Sequence, residues 1–557
     1  MARTKFFSVK TGVFCLILLF GSFFLGSCST NKTSNVLLVG TYNGKKGQFS
    51  SIQAAVNAAK PGDTILIAPG IYYEHGSKQA GVFITKPDLT LLGLNRNTVV
   101  IDGSKPNNNY LRICPFGKSC PVSIIQKYAC PSSVNFVNFS GLNGIEVYKA
   151  SGVTIENLTV CNYLPNATGG GNEVWINGGD GSGKIGISTY NVSYVTATST
   201  WADPLHPTDT ENPAQYGIYV SNSSGKGLLT HDFASNMADS AFYVGACPNC
   251  NAYLNYDVGT HSVLGFSGSN AGGNLIISHS LFYDNESGIA PNSLNNDDAP
   301  PPQDGHCPGN TVNFLGTKDC TILEYNKVFD NNDVNVPGGE NPSGYALPGT
   351  GIIISGGQYD LVYKNEVYDN NAWGIILLDY PDTEKPPPLS HCQGGQEYAG
   401  VLCLFPAIGN EVFSNTLYSN GGFNNPSNGD LAVATLNRTP GNCFKDNIDQ
   451  NNLTVYPSGI QSSVCQESSN GDLLGVLGLE LACDSGAFGQ CNSIQNIDKV
   501  VNTIMLLAQV VHLQSTLTSS NLPRVSYPTI TQATAQMPPS QPQVPDLCAN
   551  VQTNSWC

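Results

Sequence analysis

The chain has 557 residues, with 25 Lys and Arg against 41 Asp and Glu, which gives a formal net charge of −16 at pH 7. Only 12% of the residues are charged, whereas Tyr alone contributes 25 residues and Gly contributes 59. A nucleic-acid-binding protein would be expected to carry a basic patch, so this composition argues against that class and favours a polar, uncharged surface suited to sugars.

The N-terminus predicts an export signal with a lipid anchor. Three basic residues among the first ten precede the apolar run from Val13 to Leu25, and Gly-Ser-Cys28 follows directly. This order is similar to a bacterial lipoprotein signal, in which residues 1–27 are removed and Cys28 carries the lipid. The alternative is a plain secretory signal with a nearby Cys. No other stretch is long and apolar enough to span a membrane, so the lipid is the only predicted membrane contact.

The cysteine content agrees with export. Of 18 Cys, one lies in the signal and Cys28 is at the lipid site, which leaves an even number for disulfides. Near neighbours in sequence predict loop-closing disulfides at Cys307/Cys320, Cys392/Cys403, Cys443/Cys465, Cys483/Cys491 and Cys548/Cys557. Cys247 and Cys250 have redox-motif spacing, but they fall in a turn, so a tight disulfide is the favoured interpretation. No Cys/His set has zinc spacing.

Residues 28–46 are predicted to be a tether, and the sequence after them predicts a capping helix followed by a strand. Phe49 to Ala59 reads FSSIQAAVNAA, which is amphipathic and has a Ser start, and Pro-Gly-Asp then ends the helix. Thr64 to Tyr72 reads TILIAPGIY, which is typical of a strand and a turn.

A phrase with two Asn five positions apart recurs through the predicted body, residues 47–469. It occurs at Asn157/Asn162, Asn326/Asn331, Asn365/Asn370 and Asn415/Asn420. A marker residue opens a short apolar run in each coil, and the predicted markers are Gly144, Gly186, Gly217, Ser240, Gly265, Gly288, Gly351 and Gly374. Uninterrupted coils repeat every 23 to 25 residues, which predicts an all-β solenoid, a parallel β-helix with coils about 4.8 Å apart. Most of the Asn residues are then expected to cap turns.

The capping helix and the Asn phrase together resemble the pectin-lyase-like superfamily of right-handed parallel β-helices. The resemblance covers about residues 47 to 455 and implies one solenoid whose open N-terminal end is plugged by the helix. Long Pro/Gly-rich side loops would wall a binding face. Residues 470–518 are predicted to be a small helical C-terminal cap, with helices at Leu473 to Leu481 and Ile497 to Leu513. Residues 519–557 form a Pro/Gln/Thr-rich tail, extended or partly disordered.

The resemblance does not extend to a specific activity. Pectate-lyase-like sites use an Arg base beside calcium-binding Asp residues, but no Arg occurs between Arg112 and Arg438. Polygalacturonase-like sites use Gly-His-Gly and Arg-Ile-Lys, and neither tripeptide is present. Alginate-epimerase-like sites use Asp-Pro-His-Asp, from which the segment Asp203 to Pro207 differs in spacing.

Two predicted Asn columns are interrupted in three consecutive coils. His231, Tyr256 and His279 take the place of Asn in the first column, and His261 and Asp284 take it in the second. The repeat predicts that His261 and Asp284 are neighbours, and such a pair sets the tautomer and basicity of the imidazole. The predicted catalytic residues are His231, His261, His279, Asp284 and Asp239. The alternative is that they satisfy turn or core hydrogen bonds in place of Asn.

Acidic loops and Trp residues supply the predicted binding set. Adjacent carboxylates in the segment 295 to 310 suit Ca²⁺, the only cofactor indicated, or shared acid–base work on a glycosidic bond. The alternatives are a solvated, disulfide-pinned loop and, for each Trp, ordinary packing instead of stacking on sugar rings. The predicted binding residues are Asp297, Asp298, Asp304, His306, Trp201, Trp373 and Asp379.

Two functional hypotheses follow from these features. The first is an exported, lipid-anchored protein of the cell envelope that acts on a polysaccharide or oligosaccharide as a lyase, hydrolase or epimerase. The second is a non-catalytic carbohydrate-binding or surface-structural lipoprotein on the same scaffold. Both place the protein on the extracellular face, with the membrane contacted through the lipid only and with no nucleic-acid partner.

Overall fold

The structure is a computed structural model in which most of the predicted solenoid is described. The described residues are 35–106, 136–138, 141–166, 169–180, 182, 184–199, 213–247, 249–292, 307, 318–338, 346–382, 392, 395–398, 402–436, 439–461, 471–485, 491, 494–517, 535–549 and 551–557. The predicted signal and Cys28 lie outside the described residues, as does the start of the predicted tether.

Each coil contributes strands to three long parallel sheets, which the chain visits in the order sheet 1, sheet 2, sheet 3. In the described residues sheet 1 has twelve strands: β1 (Val36–Val39), β4 (Thr64–Ile67), β7 (Thr90–Gly93), β12 (Val153–Glu156), β15 (Ile187–Ser193), β18 (Ser223–Thr230), β21 (Ala252–Asn255), β24 (Leu275–Ser278), β27 (Thr321–Glu324), β30 (Leu361–Tyr363), β36 (Glu411–Phe413) and β39 (Cys443–Lys445). Sheet 2 has ten described strands: β5 (Gly70–Tyr72), β8 (Val99–Asp102), β13 (Thr159–Cys161), β16 (Thr196–Thr198), β19 (Phe233–Ser235), β22 (Val258–Thr260), β25 (Leu281–Tyr283), β28 (Lys327–Phe329), β31 (Glu366–Tyr368) and β37 (Thr416–Tyr418).

Sheet 3 carries the face on which the candidate site lies. Its eleven described strands are β6 (Ala80–Ile84), β11 (Asn143–Tyr148), β14 (Asn172–Asn177), β17 (Tyr216–Ser221), β20 (Ser240–Gly245), β23 (Leu264–Ser269), β26 (Ser287–Asn292), β29 (Thr350–Ser355), β32 (Trp373–Leu378), β38 (Gly429–Ala434) and β40 (Val455–Tyr456). Short antiparallel pairs lie beside the coils: β2 (Thr41–Tyr42) with β3 (Lys45–Lys46), β9 (Ser104–Pro106) with β10 (Phe136–Asn138), and β35 (Leu402–Phe405) with both β33 (Tyr380–Asp382) and β34 (Gln396–Tyr398). The predicted right-handed parallel β-helix is confirmed.

The core is a continuous stack of inward side chains along the solenoid. In sheet 3 the stacked positions are Val174, Ile218, Phe242, Phe266, Ile289, Ile352, Ile375 and Leu431, all fully buried. Because a strand alternates its side chains between two faces, every second residue of the same strands points outward. The inward stack therefore fixes which residues sheet 3 presents on its outer face.

The predicted capping helix is confirmed as α1 (Ile52–Ala58). The Ser51 hydroxyl accepts a hydrogen bond from the Ala54 N–H, and the buried Glu74 carboxylate accepts one from the Ile52 N–H at 2.6 Å. These bonds satisfy N–H groups that a helix leaves open at its start. Ile52 and Val56 pack into the core, so the helix covers the apolar end of the first coils.

Glycine opens the sheet 3 run of most coils because another coil lies too close for a side chain. A Cβ on Gly351 would lie 2.6 Å from the Gly374 carbonyl oxygen. The residues aligned at this position are Gly144, Glu173, Gly217, Ala241, Gly265, Gly288, Gly351 and Gly374. The predicted markers Gly186 and Ser240 were therefore wrong, since Gly186 precedes sheet 1 and Ser240 lies one residue before the aligned Ala241.

Buried polar side chains form a ladder along the corner between sheets 1 and 2. Its members are Asp232, Asp257, Ser280, Asn326, Asn365, Asn415 and Asn447, and each accepts a hydrogen bond from a backbone N–H of the preceding coil. Asn365 also accepts from the Asn326 side chain and donates to the Leu323 carbonyl and to Asn415. The predicted structural role of the central Asn residues is thus confirmed, and a second such ladder contains Asn285, Asn331, Asn370 and Asn420.

Asn365→Ala is expected to lower the free energy of unfolding by about 3 kcal/mol, because it leaves buried donors and an acceptor without partners. Denaturant unfolding followed by circular dichroism measures this loss. Asn451→Ala is the matched control, because Asn451 is exposed and its change should cost less than about 0.5 kcal/mol. Equal losses in the two variants would contradict a structural ladder.

Two C-terminal helices, α2 (Val476–Asp484) and α3 (Ile494–Val510), belong to an apolar cluster on the outer face of sheet 3. Their buried residues Leu477, Val500 and Ile504 share this cluster with Ile353 and Ile376 of sheet 3. The helices therefore cover the C-terminal half of that face. Among the described residues, no helix combines the length and the apolar character that crossing a membrane requires.

Disulfides pin the loops and ends as the sequence predicts. The described bonds are Cys247–Cys250, Cys307–Cys320, Cys392–Cys403, Cys483–Cys491 and Cys548–Cys557. Cys443 is also disulfide-bonded, but its predicted partner Cys465 lies outside the described residues. The predicted tight disulfide at Cys247 and Cys250 is therefore confirmed.

The described residues of 536–557 form a C-terminal strap on the N-terminal coils, in which residues 536–544 are extended and residues 545–549 form a turn. The Asn236 amide binds both backbone groups of Gln536, at 2.7 and 2.8 Å, and the Asn97 amide binds both groups of Gln541, at 2.8 and 2.9 Å. The Val544 N–H donates to the side chain of Asn157. These contacts are made to the strap backbone, and the Gln543 side chain adds one more by accepting a hydrogen bond from the Arg96 N–H at 2.7 Å.

The end of the strap covers an apolar patch beside the first coils. Leu547, Val551 and Trp556 pack against Leu38, Leu66 and Leu92. The Trp556 indole donates to the Lys45 carbonyl, so the strap also contacts the β2–β3 pair. The described part of the predicted tail is therefore docked on the coils, and only its first part, residues 536–544, is extended.

Candidate functional site

The predicted catalytic residues His231 and His279 lie at the corner between sheets 1 and 2, in left-handed backbone conformations with φ of +58° and +52°. The ladder positions one residue later are held by Asp232 and Ser280. The prediction that these histidines replace ladder Asn residues was therefore wrong. The physical reason is that Asn also suits the left-handed position, so neighbouring positions give the same signal in sequence.

The two histidines belong to a row of stacked rings along this corner. The ring centroids of Tyr194 and His231 are 4.7 Å apart, and those of His279 and Tyr325 are 5.2 Å apart, with Tyr256 between the two pairs. Burial and the nearby Arg96 charge lower the pKa of His231, so its neutral form is favoured. Tyr256 and Tyr325 of this row are 49% and 41% exposed, so the row lies at the surface.

His261 and Asp284 lie at the other end of sheet 2, at its corner with sheet 3, with left-handed φ of +49° and +53°. The ladder positions one residue later are held by Ser262 and Asn285, so the prediction that His261 and Asp284 replace ladder Asn residues was also wrong. The His261 Nε2 and an Asp284 carboxylate oxygen are 3.9 Å apart, so the predicted adjacency is confirmed. Burial lowers the pKa of His261 and raises that of Asp284, and their mutual attraction opposes both shifts. The three-residue strand β25 separates Asp284 from His279, so the predicted histidines do not form one constellation.

Asp239 lies just before β20, beside the outer face of sheet 3. Its Oδ2 accepts a hydrogen bond from the Tyr216 hydroxyl at 2.9 Å, and its Oδ1 accepts one from the Ser240 hydroxyl at 2.5 Å. Burial raises the pKa of Asp239 to about 6, against the lowering effect of these two bonds. A carboxyl with such a pKa can accept or donate a proton near neutral pH.

The Tyr216 ring joins Asp239 to a cluster of aromatic side chains, here called the aromatic face: Trp175, Tyr216, Tyr219 and Tyr243. The Trp175 and Tyr219 rings stack with centroids 5.1 Å apart, and Tyr216 stacks on Tyr219 at 4.7 Å. Tyr243 meets Tyr219 edge to face at 4.8 Å. All four side chains are half-buried, so the cluster offers aromatic surface to a ligand while its geometry is fixed by mutual packing.

Strand register explains why these rings gather. Trp175, Tyr219 and Tyr243 occupy paired positions on β14, β17 and β20, and each lies between inward apolar residues of its own strand. The same row continues as Ser267, Ala290, then Ile353, Ile376 and Ala432. The row therefore changes from aromatic and polar to apolar, and α2 and α3 cover its apolar part.

A carboxyl held by amides lies in the same row before Trp175. Glu146 accepts one hydrogen bond from the Asn143 side chain and one from the Asn177 side chain, both at 2.9 Å. Burial raises the pKa of Glu146. Asn172 donates to Asn143 at 2.8 Å, so these residues form a fixed polar network next to the aromatic rings.

Two predicted binding residues are structural. Trp373 is fully buried, and its indole N–H donates to the Ser427 carbonyl at 2.9 Å. Asp379 is fully buried as well, and its two oxygens accept from the Ala407 and Leu436 N–H groups. Their predicted role in ligand binding was therefore wrong, because neither side chain reaches a surface that a sugar could contact.

The remaining predicted binding residues, Asp297, Asp298, Asp304, His306 and Trp201, lie outside the described residues. The carboxylates suggested for Ca²⁺ are among them. Within the described segments, no group of three His, Cys, Asp or Glu side chains is arranged to hold a metal ion.

Sequence reasoning missed Tyr216, Tyr219, Tyr243 and Glu146. The signal was present in part, since Trp175, Tyr219 and Tyr243 each follow the aligned Gly position by two residues. That position holds Glu173 in one coil and Ala241 in another, which hid the register. Correct alignment of these two coils would have placed the three rings in one row.

Comparisons with known proteins find similarity of fold. No family model and no curated protein match the chain. Among solved structures, the A-module of the Azotobacter vinelandii mannuronan C-5 epimerase AlgE4 aligns at 13% identity with a TM-score of 0.41, over 74% of this chain and 95% of that one. XylC, solved with xylose, aligns at 10% identity and a TM-score of 0.36, over 68% and 75%. Pectate lyase Pel9A aligns at 15% identity and a TM-score of 0.29, over 53% and 76%.

Proposed function

We propose that the protein binds and processes a polysaccharide on the outer face of sheet 3, with Asp239 as the acid–base group. The observation that carries this proposal is Asp239 itself, a half-buried carboxyl with a pKa of about 6 at the edge of the aromatic face. Aromatic rings beside fixed amides and hydroxyls are suited to sugars, whose rings carry apolar C–H faces and polar edges.

The Asp239–Tyr216 pair provides a proton acceptor and a proton donor in contact. At neutral pH Asp239 is mostly ionised and can take a proton from a sugar carbon or hydroxyl. Burial and the Asp239 charge raise the pKa of Tyr216, so its hydroxyl keeps its proton and can donate it. This arrangement supports a lyase or an epimerase directly, whereas a hydrolase needs a second carboxyl about 5 to 9 Å away.

Export and lipid attachment belong to the same proposal. The N-terminal pattern ending at Cys28 supports a lipid-anchored protein at the extracellular face of the cell envelope. The disulfides of the described residues support an oxidising compartment. The His261–Asp284 pair is retained as a second candidate for the acid–base group, because its two side chains are adjacent.

A binding protein without catalysis is the second candidate function. The stacking of Trp175 on Tyr219 and the hydrogen bonds around Glu146 favour it as well, because both would position a glycan without changing it. The two functions differ in product: only the first creates unsaturated ends, new reducing ends or inverted sugar centres.

Trp175→Ala is expected to weaken glycan affinity, or kcat/KM if turnover occurs, by about tenfold, because one ring of the aromatic face is removed. Glycan-array binding followed by product analysis on each bound polysaccharide measures both properties. Tyr256→Ala is the matched control, since Tyr256 is 49% exposed but lies in the ring row at another corner. Absence of any glycan binding, or an equal loss in the control, would contradict the proposal.

A further inference from the structure

Three buried carboxyl groups lie where the C-terminal helices cover sheet 3. Glu480 and Asp484 belong to α2, and Glu286 directly precedes β26 of the sheet. Their exposed fractions are 0%, 8% and 6% in that order, and the function proposed above uses none of them. We propose that these groups make α2 and α3, here called the helical cover, a pH-controlled device that closes over sheet 3 in acid and opens as the pH rises.

Asp484 is a buried carboxyl at an unfavourable end of its helix. Both of its oxygens are buried with no hydrogen-bond partner in the part of the chain that the structure describes. It is the last residue of α2, and the last turn of this helix holds no basic residue. A negative charge is disfavoured at a helix C-terminus because the helix dipole is itself negative there. Ionisation of Asp484 is therefore opposed both by burial and by its own helix.

Glu286 is a second buried carboxyl, on the sheet side of the same interface. Its Oε2 atom is buried without a hydrogen-bond partner among the described residues. Val263, whose carbonyl accepts from the Ser287 N–H, shares an apolar cluster with Leu477 of α2. Burial and the Glu286 charge raise the pKa of Asp484 well above its usual range. The two carboxyls therefore repel each other across the interface when both are ionised.

Glu480 attaches the helical cover to sheet 3 in the closed form. Its Oε2 accepts hydrogen bonds from the Ser427 N–H at 3.1 Å and from the Ser427 hydroxyl. The Ser427 carbonyl in turn accepts from the indole of Trp373 in β32. Burial raises the pKa of Glu480 to about 7, against the lowering effect of the two bonds from Ser427. Glu480 therefore titrates near neutral pH within the interface.

The charges around these carboxyls do not compensate them. Burial and the charges of Asp472 and Glu480 raise the pKa of Tyr456, so this hydroxyl stays uncharged. The charged residues of α3, Asp498 and Lys499, are both exposed. Among the described residues, the charges that act on the three carboxyls are acidic: Asp333 on Glu286, Glu286 and Glu480 on Asp484, and Asp472 on Glu480. Protons, rather than a basic side chain, therefore neutralise the buried carboxyls when the helical cover is closed.

The direction of the pH effect follows from the raised pKa values. A carboxyl whose pKa is higher in the closed form stabilises that form fully below the pKa of an exposed carboxyl, about 4, and the stabilisation is lost as the pH rises through the closed-form pKa. For Glu480 the loss is complete above about 7, and for Glu286 and Asp484 it continues well above their usual range. Opening uncovers Ile353 and Ile376, which continue the row of the aromatic face.

The test is hydrogen exchange of α2 and α3 in the intact protein at about pH 5 and about pH 6, with rates corrected for the intrinsic effect of pH on exchange. We expect the opening constant of both helices to rise at least a hundredfold, which corresponds to two protons released per opening over about one pH unit. Strands β14 and β17, which lie outside the helical cover, should change less than about threefold. No glycan is needed, so this result is independent of the proposed function.

The double variant Glu286→Gln, Asp484→Asn removes two of the three titrating groups and keeps the size of both side chains. We expect its rise in the opening constant to be about tenfold or less, because only Glu480 still releases a proton. An unpartnered amide also costs stability, but that cost does not change with pH, so a variant that is merely less stable keeps the wild-type ratio. Asp498→Asn, at an exposed position of α3, is the matched control and should keep the full rise. A wild-type rise of tenfold or less, or an equal rise in the double variant, would overturn the proposal.

Discussion

Replacing Asp239 with Asn is expected to lower turnover by a factor of about 10² to 10⁴, the usual contribution of a positioned acid–base group. The amide keeps the size of the side chain and can still accept the Tyr216 hydrogen bond, so the fold should be retained. Product formation on the glycan identified by array binding measures the effect, and circular dichroism and the melting curve verify the fold. Binding without turnover in both wild type and variant would instead favour the non-catalytic function.

The pH dependence of kcat/KM tests the role of Asp239 independently. A general base works when ionised, so kcat/KM of the wild type should fall about tenfold per pH unit below the Asp239 pKa of about 6. The residual activity of Asp239→Asn should lack this acidic limb. His261→Ala tests the second candidate pair: if that variant loses turnover and the acidic limb while Asp239→Asn keeps them, the assignment to Asp239 is wrong.

Deleting residues 536–557 is expected to destabilise the N-terminal coils by on the order of 5 kcal/mol, because it removes the hydrogen bonds of the strap and uncovers an apolar patch. It would also uncover Arg96, a fully buried guanidinium that donates to Pro542 of the strap and to the Val195 and His231 carbonyls. Hydrogen exchange localises the effect: β1, β4 and β7 should open far more often, whereas β29 and β32 should change little.

Two point variants serve as a matched pair for the deletion. Asn97→Ala removes both bonds to the Gln541 backbone and should reproduce part of the loss. Gln541→Ala keeps those backbone bonds and removes a side chain that donates an exposed hydrogen bond to the Pro539 carbonyl within the strap, so it should be nearly neutral. Uniform opening of all coils after the deletion, or equal effects of Asn97→Ala and Gln541→Ala, would contradict a local strap.

The solenoid could be predicted from sequence because its cause is local and repeated. Asn326, Asn365 and Asn415 recur because each makes the same hydrogen bond with the adjacent coil. A contact that repeats from coil to coil favours the same residue type at the same position of each coil. The register within a coil was harder to predict, because Asn157 lies in the left-handed position with φ of +59° whereas Asn326 lies one position later, in the ladder. Asn thus occurs at both of these neighbouring positions. From sequence, His231 and His279 were therefore placed in the ladder, although they occupy the left-handed position.

The site could be predicted only in part, because it depends on contacts between distant segments. Asp239 was identified as a flanking carboxyl, but its bond to Tyr216 and the row of rings follow from the pairing of three coils. Trp175 and Trp373 both lie in strands of sheet 3, yet only Trp175 remains half-exposed. Trp373 shares a buried cluster with α2 and α3. The sequence near residue 373 does not indicate that helices about a hundred residues later cover this side chain.

The strap also constrains the order in which the molecule can fold. Solenoid coils contact only their neighbours, so they can nucleate anywhere and grow outward. The hydrogen bonds between Asn97 and Gln541, however, join residues 444 positions apart, and closing so long a loop is slow. We expect a refolding intermediate in which the central coils are formed and the N-terminal coils are not yet stable. The N-terminal coils should become protected from proteolysis only when residues 536–557 dock on them. The first coils to leave the ribosome would then be the last to reach their final stability.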